Sequence, residues 1–333
     1  MLNNKIIAIT GGTGALGKAL TRYIFQKYPT VKKVIIFSRD EQKQYQMAQD
    51  FSSYNNQKIQ FIIGDVRDLE SVTRAFQEVD YVIHAAAMKH IHIAELNPDE
   101  CIKTNIGGAQ NVIKAALETG VKKVVSLSTD KACAPNSLYG ATKLASDKLF
   151  VAANNIKSTN KVLFSVVRYG NVLGSNGSVI PLFLSKNKEG FLPITNLEMT
   201  RFNISVQGSL DIVLHTLEHS WGGEIFIPKI PSYKITDIAK AIAPECTLNV
   251  IGIRPGEKIH EEMISSSDSF CTYDLGKYYT ILPTNPNWNL TEYITKFKAK
   301  LVPEGFNYNS NENTEWETVE SLKSQIENLD IEK

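Results

Sequence analysis

The sequence predicts an α/β fold: a doubly wound parallel sheet followed by a smaller C-terminal substrate-binding subdomain. Three observations carry this. Short apolar runs alternate with helix-period segments through residue 170, as in a parallel sheet covered on both faces. The first run, KIIAIT, ends on the glycine-rich GGTGALG, which opens directly into a helical pattern. Beyond residue 171 the rhythm gives way to Gly- and Pro-rich loops and short elements.

Taken in order, residues 5–10 are an apolar run stopped by glycine, as a buried parallel strand requires. KALTRYIFQKY then shows helical periodicity, and VKKVIIFSRD reads as the second strand. IQFIIGDVRD is the third, with a helix after it to about Val79. DYVIHAAA is the fourth, and one long helix is expected over residues 97–119. VKKVVSLST is the fifth, followed by a helix carrying Tyr139; VLFSVVRYGNV is the sixth. Residues 206–221 regain helical character, GGEIFIPKI supplies another strand, and IGIRPGEKIHEEMI reads as a loop leading into a helix. The last stretch is a polar loop and a short acidic amphipathic helix. Its Asn-Ser-Asn-Glu-Asn run leaves two readings open, disorder or a cap over the substrate. The expected division is 1–170, with return elements near 203–228, and 171–333.

A chain of 333 residues suits two packed units. An apolar fraction of 43% and a charged fraction of 21% describe an ordinary globular protein. A net charge of +1 argues against a basic face for nucleic acid. No apolar run approaches the roughly 20 residues that cross a bilayer, and MLNNKIIAIT lacks a signal-peptide layout. A cytoplasmic protein with no membrane or nucleic-acid partner is expected. Cys101, Cys133, Cys246 and Cys271 have no metal-type spacing and read as free thiols of a reducing compartment. His84, His90 and His92 are not spaced for a metal either, and no metal site is expected.

Gly11, Gly14 and Gly17 form Gly-x-x-Gly-x-x-Gly between strand and helix, which makes the fold Rossmann-type. Such glycines let backbone approach a pyrophosphate, and the helix N-terminus supplies N–H donors and a positive dipole end. A tight turn without ligand is the plain alternative. The second strand ends Phe37-Ser38-Arg39-Asp40. Ser38 can hydrogen-bond and Arg39 can pair with a 2′-phosphate, while Asp40 comes one position late for a ribose carboxylate. NADP is therefore favoured over NAD. Asp65 and Val66 suit an adenine-edge contact, with a helix N-cap as the alternative for Asp65. Ala85, Ala86 and Ala87 leave room for a cofactor, though alanines also serve close packing.

The chain is organised around SLSTDKACAPNSLYGATK. Tyr139 and Lys143 lie one helical turn apart on one face. A neighbouring ammonium is expected to lower the Tyr139 pKa and make it an acceptor for a substrate hydroxyl proton. Asp130-Lys131 at a strand end is either part of this site or a solvated turn pair.

These residues together resemble the extended short-chain dehydrogenase/reductases that act on nucleotide sugars, and within them the inverting UDP-N-acetylglucosamine 4,6-dehydratases of pseudaminic acid synthesis. The resemblance covers nearly the whole chain, through GGTGALG, FSRDE, GDVRD, HAAAMKH, ECIKTN, STDKACAPNSLYGATKLASDKLF, RYGNV, MTRF, GGEIFIPKIPS and GIRPGEK. Retaining members carry Asp-Glu where this chain has Asp130-Lys131. The resemblance implies a hydro-lyase with tightly bound NADP regenerated each turnover and a UDP-sugar substrate. It implies a homo-oligomer, with a hexamer as one option. It implies that Tyr139 takes the C4-hydroxyl proton, Lys143 holds the nicotinamide ribose and Thr129 bonds the C4 oxygen. Lys131, with a depressed pKa, would remove the C5 proton, and Asp130, with a raised one, would protonate the leaving C6 hydroxyl. Thr13, Ala15, Leu16, Lys89 and Asn105 join the cofactor set. Arg201 and Arg254 look like diphosphate clamps and Glu257 a uridine-ribose acceptor. Asn171 would meet the sugar or diphosphate, with Val179 and Pro181 on the uracil. Two departures stand out: Asn203 replaces a tryptophan after MTRF, and Gly174-Ser175-Asn176-Gly177 replaces Gly-Ser-Arg-Gly. The competing functions are a nucleotide-sugar 4-epimerase and a non-catalytic NADP-binding regulatory protein.

Overall fold

Six parallel strands form the centre of the molecule: β1 (Ile6–Thr10), β2 (Lys33–Ser38), β3 (Ile59–Ile63), β4 (Tyr81–His84), β5 (Lys123–Leu127) and β6 (Leu163–Val167). The structure, a computed structural model, describes residues 1–52, 54, 58–174 and 179–329. Asn176 and its neighbours 175, 177 and 178 lie outside the described residues. The six strands run in the order β3-β2-β1-β4-β5-β6, all in parallel register. The order reverses between β1 and β4, so the C-terminal strand ends there open a crevice. Ile7, Ile9, Ile36, Val82 and Ile83 are fully buried, as β-branched strands covered on both faces should be. Ile225–Pro228 continues the sheet parallel to β6, and Tyr278–Ile281, Thr272–Asp274 and Lys300–Leu301 extend it antiparallel. The C-terminal half thus completes the large sheet as well as building smaller ones.

Helix α1 (Ala15–Lys27) follows the glycine loop. The long helix expected over 97–119 is broken: Pro98–Ile102, a π turn over Lys103–Gly107, then Gly108–Thr119, closed by Gly120 at φ 74°. The extra residue of the π turn turns Asn105 inward, where it is buried. A separate short helix, Ile91–Leu96, precedes it and ends before Pro98.

The expected helix at HEEMI is instead a strand, Glu262–Ile264, antiparallel to Tyr308–Asn309. Met263 and Ile264 are fully buried, and a strand partner far along the chain outweighs the local helical spacing. A second core, including Phe183, Leu192, Ile238 and Leu322, lies under the helices Val179–Lys186, Ile235–Ile242 and Val319–Glu327. The Asn-Ser-Asn-Glu-Asn run is placed against the fold: Ser310 is fully buried and Asn313 donates to the Ile230 carbonyl and Ser232 Oγ. No helix among the described residues is long and apolar enough to cross a membrane.

Candidate active site

The glycine loop is shaped by backbone proximity. Gly11 sits at φ +66°, and a Cβ there would lie 2.8 Å from Ala86 Cα and N. A Cβ on Gly17 would lie 2.3 Å from the Gly12 carbonyl oxygen, so any larger residue would push α1 off the loop. Gly14 is the N-cap of α1 and lends no side chain, leaving the first N–H groups to face outward. Thr13 is buried within the loop, while Ala15 and Leu16 open the helix. Beneath the loop Thr10 Oγ1 and His84 Nδ1 are 2.8 Å apart, and burial holds the imidazole near a pKa of about 3, so it stays neutral. This concave backbone surface fits a dinucleotide pyrophosphate.

The end of β2 departs in part from expectation. Ser38 Oγ accepts from Gln44 Nε2 at 3.0 Å, and Arg39 is exposed, with Nη1 3.7 Å from Asp65. Asp40 caps the helix Glu41–Asp50 by accepting from the Lys43 N–H. Its Oδ1 thus serves that helix, while Oδ2 lies 3.5 Å from Lys43 Nζ. Asp65 is not an N-cap: Asp68 caps Leu69–Ala75, and Asp65 accepts from the Arg67 backbone and guanidinium. Val66 is buried against Gly108, and Ala85 and Ala86 are half-buried at the crevice, with Ala87 exposed. Burial also lowers the Lys89 pKa. Asn105 accepts from Met88 N–H at 2.8 Å and donates to the Met88 carbonyl and to Thr142 at 3.0 Å each, locking the loop after β4 to the Tyr139 helix.

Thr129, Asp130, Lys131, Tyr139 and Lys143 come together at the C-terminal end of β5. Thr129 caps a tight turn over Asp130–Ala132, accepting from Lys131 N–H and donating to Asp130 Oδ1 at 2.9 Å. Helix Leu138–Ala153 presses on that turn through Gly140, where a Cβ would meet the Lys131 carbonyl oxygen at 2.2 Å. This is why glycine follows Tyr139. Lys131 Nζ donates to Asp130 Oδ1 at 3.0 Å and to Asn171 Oδ1 at 3.5 Å. It also lies 3.2 Å from Glu261 Oε1, a carboxylate that sequence reasoning missed.

The electrostatics correct two expectations. Burial disfavours the Lys131 ammonium, but the flanking Asp130 and Glu261 carboxylates outweigh it and raise its pKa above the ordinary lysine value. Its pKa is thus raised, not depressed, by the protein groups around it. Burial pushes the Tyr139 phenol up to about 12, against the pull of the Lys131 charge and a Thr129 hydrogen bond. Lys143 donates instead to the Leu127 carbonyl, 2.7 Å from Nζ, and burial lowers its own pKa. The expected upward shift of Asp130 does occur: full burial outweighs the attraction of Lys131.

A family model described as a polysaccharide biosynthesis protein matches residues 7–283. The chain belongs to that family. It is 53% identical over 331 residues to a UDP-N-acetylglucosamine 4,6-dehydratase (inverting) of Campylobacter jejuni subsp. jejuni, covering 97% of each chain. It is 42% identical to a UDP-glucose 4-epimerase of Rickettsia canadensis, covering 91% of this chain and 90% of the relative. Among solved structures, Pen from Bacillus thuringiensis superposes with a TM-score of 0.88 at 35% identity, covering 98% of each chain.

The family member's remaining site residues divide. Arg201 is buried, and its Nη atoms donate to the Thr200, Ile259 and Lys258 carbonyls while Nε faces Glu261 at 3.7 Å. Its guanidinium is thus already held by three backbone carbonyls and the Glu261 carboxylate. Arg254 is exposed, 3.8 Å from Glu257 in its own turn. Asn171 and Val179 border a narrow cleft with Ile180, Asn203 and Tyr233, while Pro181 follows in the same helix and is not part of its lining. Asn203 donates to Glu317 Oε1 at 2.8 Å and Gln325 Oε1 at 3.0 Å. The residue standing in place of the family's tryptophan therefore anchors the C-terminal segment beside this cleft.

Proposed function

We propose that this protein is an inverting 4,6-dehydratase of UDP-N-acetylglucosamine, releasing water and a 4-keto-6-deoxy-L-arabino sugar nucleotide, with a tightly held nicotinamide dinucleotide regenerated each turnover. The observation that carries this is the Asp130–Lys131 pair, 3.0 Å apart at the end of β5, in reach of the Tyr139 charge environment. The Campylobacter relative's name supports it.

The glycine loop and the α1 N-terminus would hold the pyrophosphate, and Lys143 the nicotinamide ribose. When bound, the nicotinamide supplies hydride acceptance from C4 and its return to C6. Tyr139 takes the C4-hydroxyl proton while Thr129 bonds the C4 oxygen. The C5 proton, now α to a ketone, passes to Lys131. The resting ammonium must first lose a proton, and the nearest acceptor is Asp130. Moving that proton from Nζ to Oδ1 converts the ion pair into an amine and a carboxylic acid, a neutral pair that a buried site favours once substrate excludes water. One transfer thus arms both the C5 base and the acid that protonates the departing C6 hydroxyl. C5 is then reprotonated on the opposite face.

The test is an NMR time course with UDP-N-acetylglucosamine in deuterated water. The expected product has a C6 methyl group and deuterium at C5. The Rickettsia relative gives the 4-epimerase reading a footing; a C4 epimer with no exchange at C5 would establish it instead. NADP is the cofactor this reading favours, through Ser38 and Arg39. Replacing Arg39 by alanine is expected to weaken NADP binding about tenfold, with NAD binding changed less than twofold, as measured by titration of the cofactor-stripped protein.

A further inference from the structure

We infer that Glu261 is a positioning residue of this site, holding the Lys131 amine from a second element of the fold and setting how tightly the Asp130–Lys131 pair keeps its protons. The inference rests on the dehydratase reading. Glu261 Oε1 lies 3.2 Å from Lys131 Nζ and 3.7 Å from Arg201 Nε, and the carboxylate is 2% exposed. Its Oε2 is buried without a hydrogen-bond partner among the described residues. A buried carboxylate left half-satisfied is a costly way to hold a fold.

Its placement is fixed from both sides. The Glu261 N–H donates to Ser310 Oγ at 2.9 Å, and the Ser310 N–H donates back to the Glu261 carbonyl at 2.8 Å. Ser310 Oγ is 2.7 Å from Thr200 Oγ1, which in turn is 2.8 Å from His260 Nδ1. Two residues on, the Met263 carbonyl accepts from Arg168, whose guanidinium lies 3.2 Å from Asp147, itself the acceptor of Ser128 Oγ. The strand that directly follows Glu261, Glu262–Ile264, is thereby tied to Ser128, one residue before Thr129.

The groups facing Lys131 are Asp130 and Thr129 on its own turn, Glu261, Arg201, Asn171, and the Tyr139 and Tyr233 phenols. Lys131, Arg201 and Lys258 hold Glu261 below the ordinary glutamate range despite its burial, so it is the fixed anion of the group. The working pair carries one proton between Asp130 and Lys131. Gaining a second proton or losing the last one stops it, which gives a bell-shaped profile belonging to the pair. An adjacent anion makes both protonations more favourable. Removing it moves both limbs to lower pH.

The experiment is the pH profile of kcat for dehydration of UDP-N-acetylglucosamine by the holoenzyme, wild type against Glu261→Gln. Both limbs are expected about one pH unit lower in the variant, in the range an opposite charge at this distance exerts. A lower maximum with unmoved limbs would mean that Glu261 is only structural and would overturn the inference. Should Glu261→Gln not fold, Glu261→Asp replaces it: the charge is kept but withdrawn by one methylene, and a smaller shift in the same direction is expected, with unmoved limbs again overturning it. A wild-type enzyme that does not dehydrate at all would sink the underlying reading instead.

Discussion

Lys131→Ala is expected to lower kcat for dehydration about a thousandfold, within the range for loss of a positioned general base, while C4 oxidation survives. The two halves separate because they draw on different side chains. Oxidation needs Tyr139 and Thr129; elimination needs an amine over C5. In a single turnover the variant should therefore accumulate reduced nicotinamide, visible as near-ultraviolet absorbance that the wild type shows only transiently. Lys131→Arg is expected to be no better than alanine: a guanidinium keeps the ion pairs to Asp130 and Glu261 but cannot become a neutral base. That comparison matters because the structure holds Lys131 between two carboxylates, 3.0 and 3.2 Å away. An arginine that restored activity would show the cation to be electrostatic, and would remove Lys131 as base. Wild-type rates of dehydration in Lys131→Ala would do the same more bluntly.

The parallel half of the fold was legible because its signals are local. KIIAIT before GGTGALG, and the Val/Ile runs at β2, β4 and β5, each carry strand and turn chemistry within ten residues. The site residues around β5 were legible for the same reason: Thr129 to Lys143 is one strand end, one turn and one helix. What failed depended on distant partners. HEEMI has helical spacing, and only Tyr308–Asn309, from the far end of the chain, makes it a strand. Glu261 was missed with it, since no spacing links residue 261 to 131. The partners of Arg201 were hidden for the same reason: the Lys258 and Ile259 carbonyls that hold its guanidinium belong to a loop remote in sequence. The Tyr139 error is subtler. The i, i+4 spacing does put Lys143 on the same helix face, but the side chain is long enough to reach the Leu127 carbonyl instead. Desolvation of a fully enclosed phenol then sets its pKa, a quantity that no local pattern encodes.

Tyr139→Phe is expected to abolish the first half of the reaction, lowering the rate of C4 oxidation by about a thousandfold or more. Neither reduced nicotinamide nor dehydrated product should accumulate, which distinguishes it from Lys131→Ala. The change removes one hydroxyl from a buried ring, so the thermal midpoint should move little and binding of UDP-sugar should persist. The wild type carries a further signature. With the phenol pushed up to about 12 by burial, the phenolate fraction at any lower pH rises tenfold for each unit increase in pH. The rate of C4 oxidation in a stopped-flow experiment should therefore climb through the neutral range, whereas the residual rate of Tyr139→Phe should be flat. Thr129→Val, which removes the hydrogen bond that favours phenolate, should displace the rise to higher pH. Oxidation in Tyr139→Phe within tenfold of wild type would assign the proton acceptor elsewhere. Asp130, Lys131 and Lys143 would then be the ionisable groups of the proposed set left to take the C4 proton, and with either of the first two in that role the separation of oxidation from elimination on which the Lys131 comparison depends would fail with it.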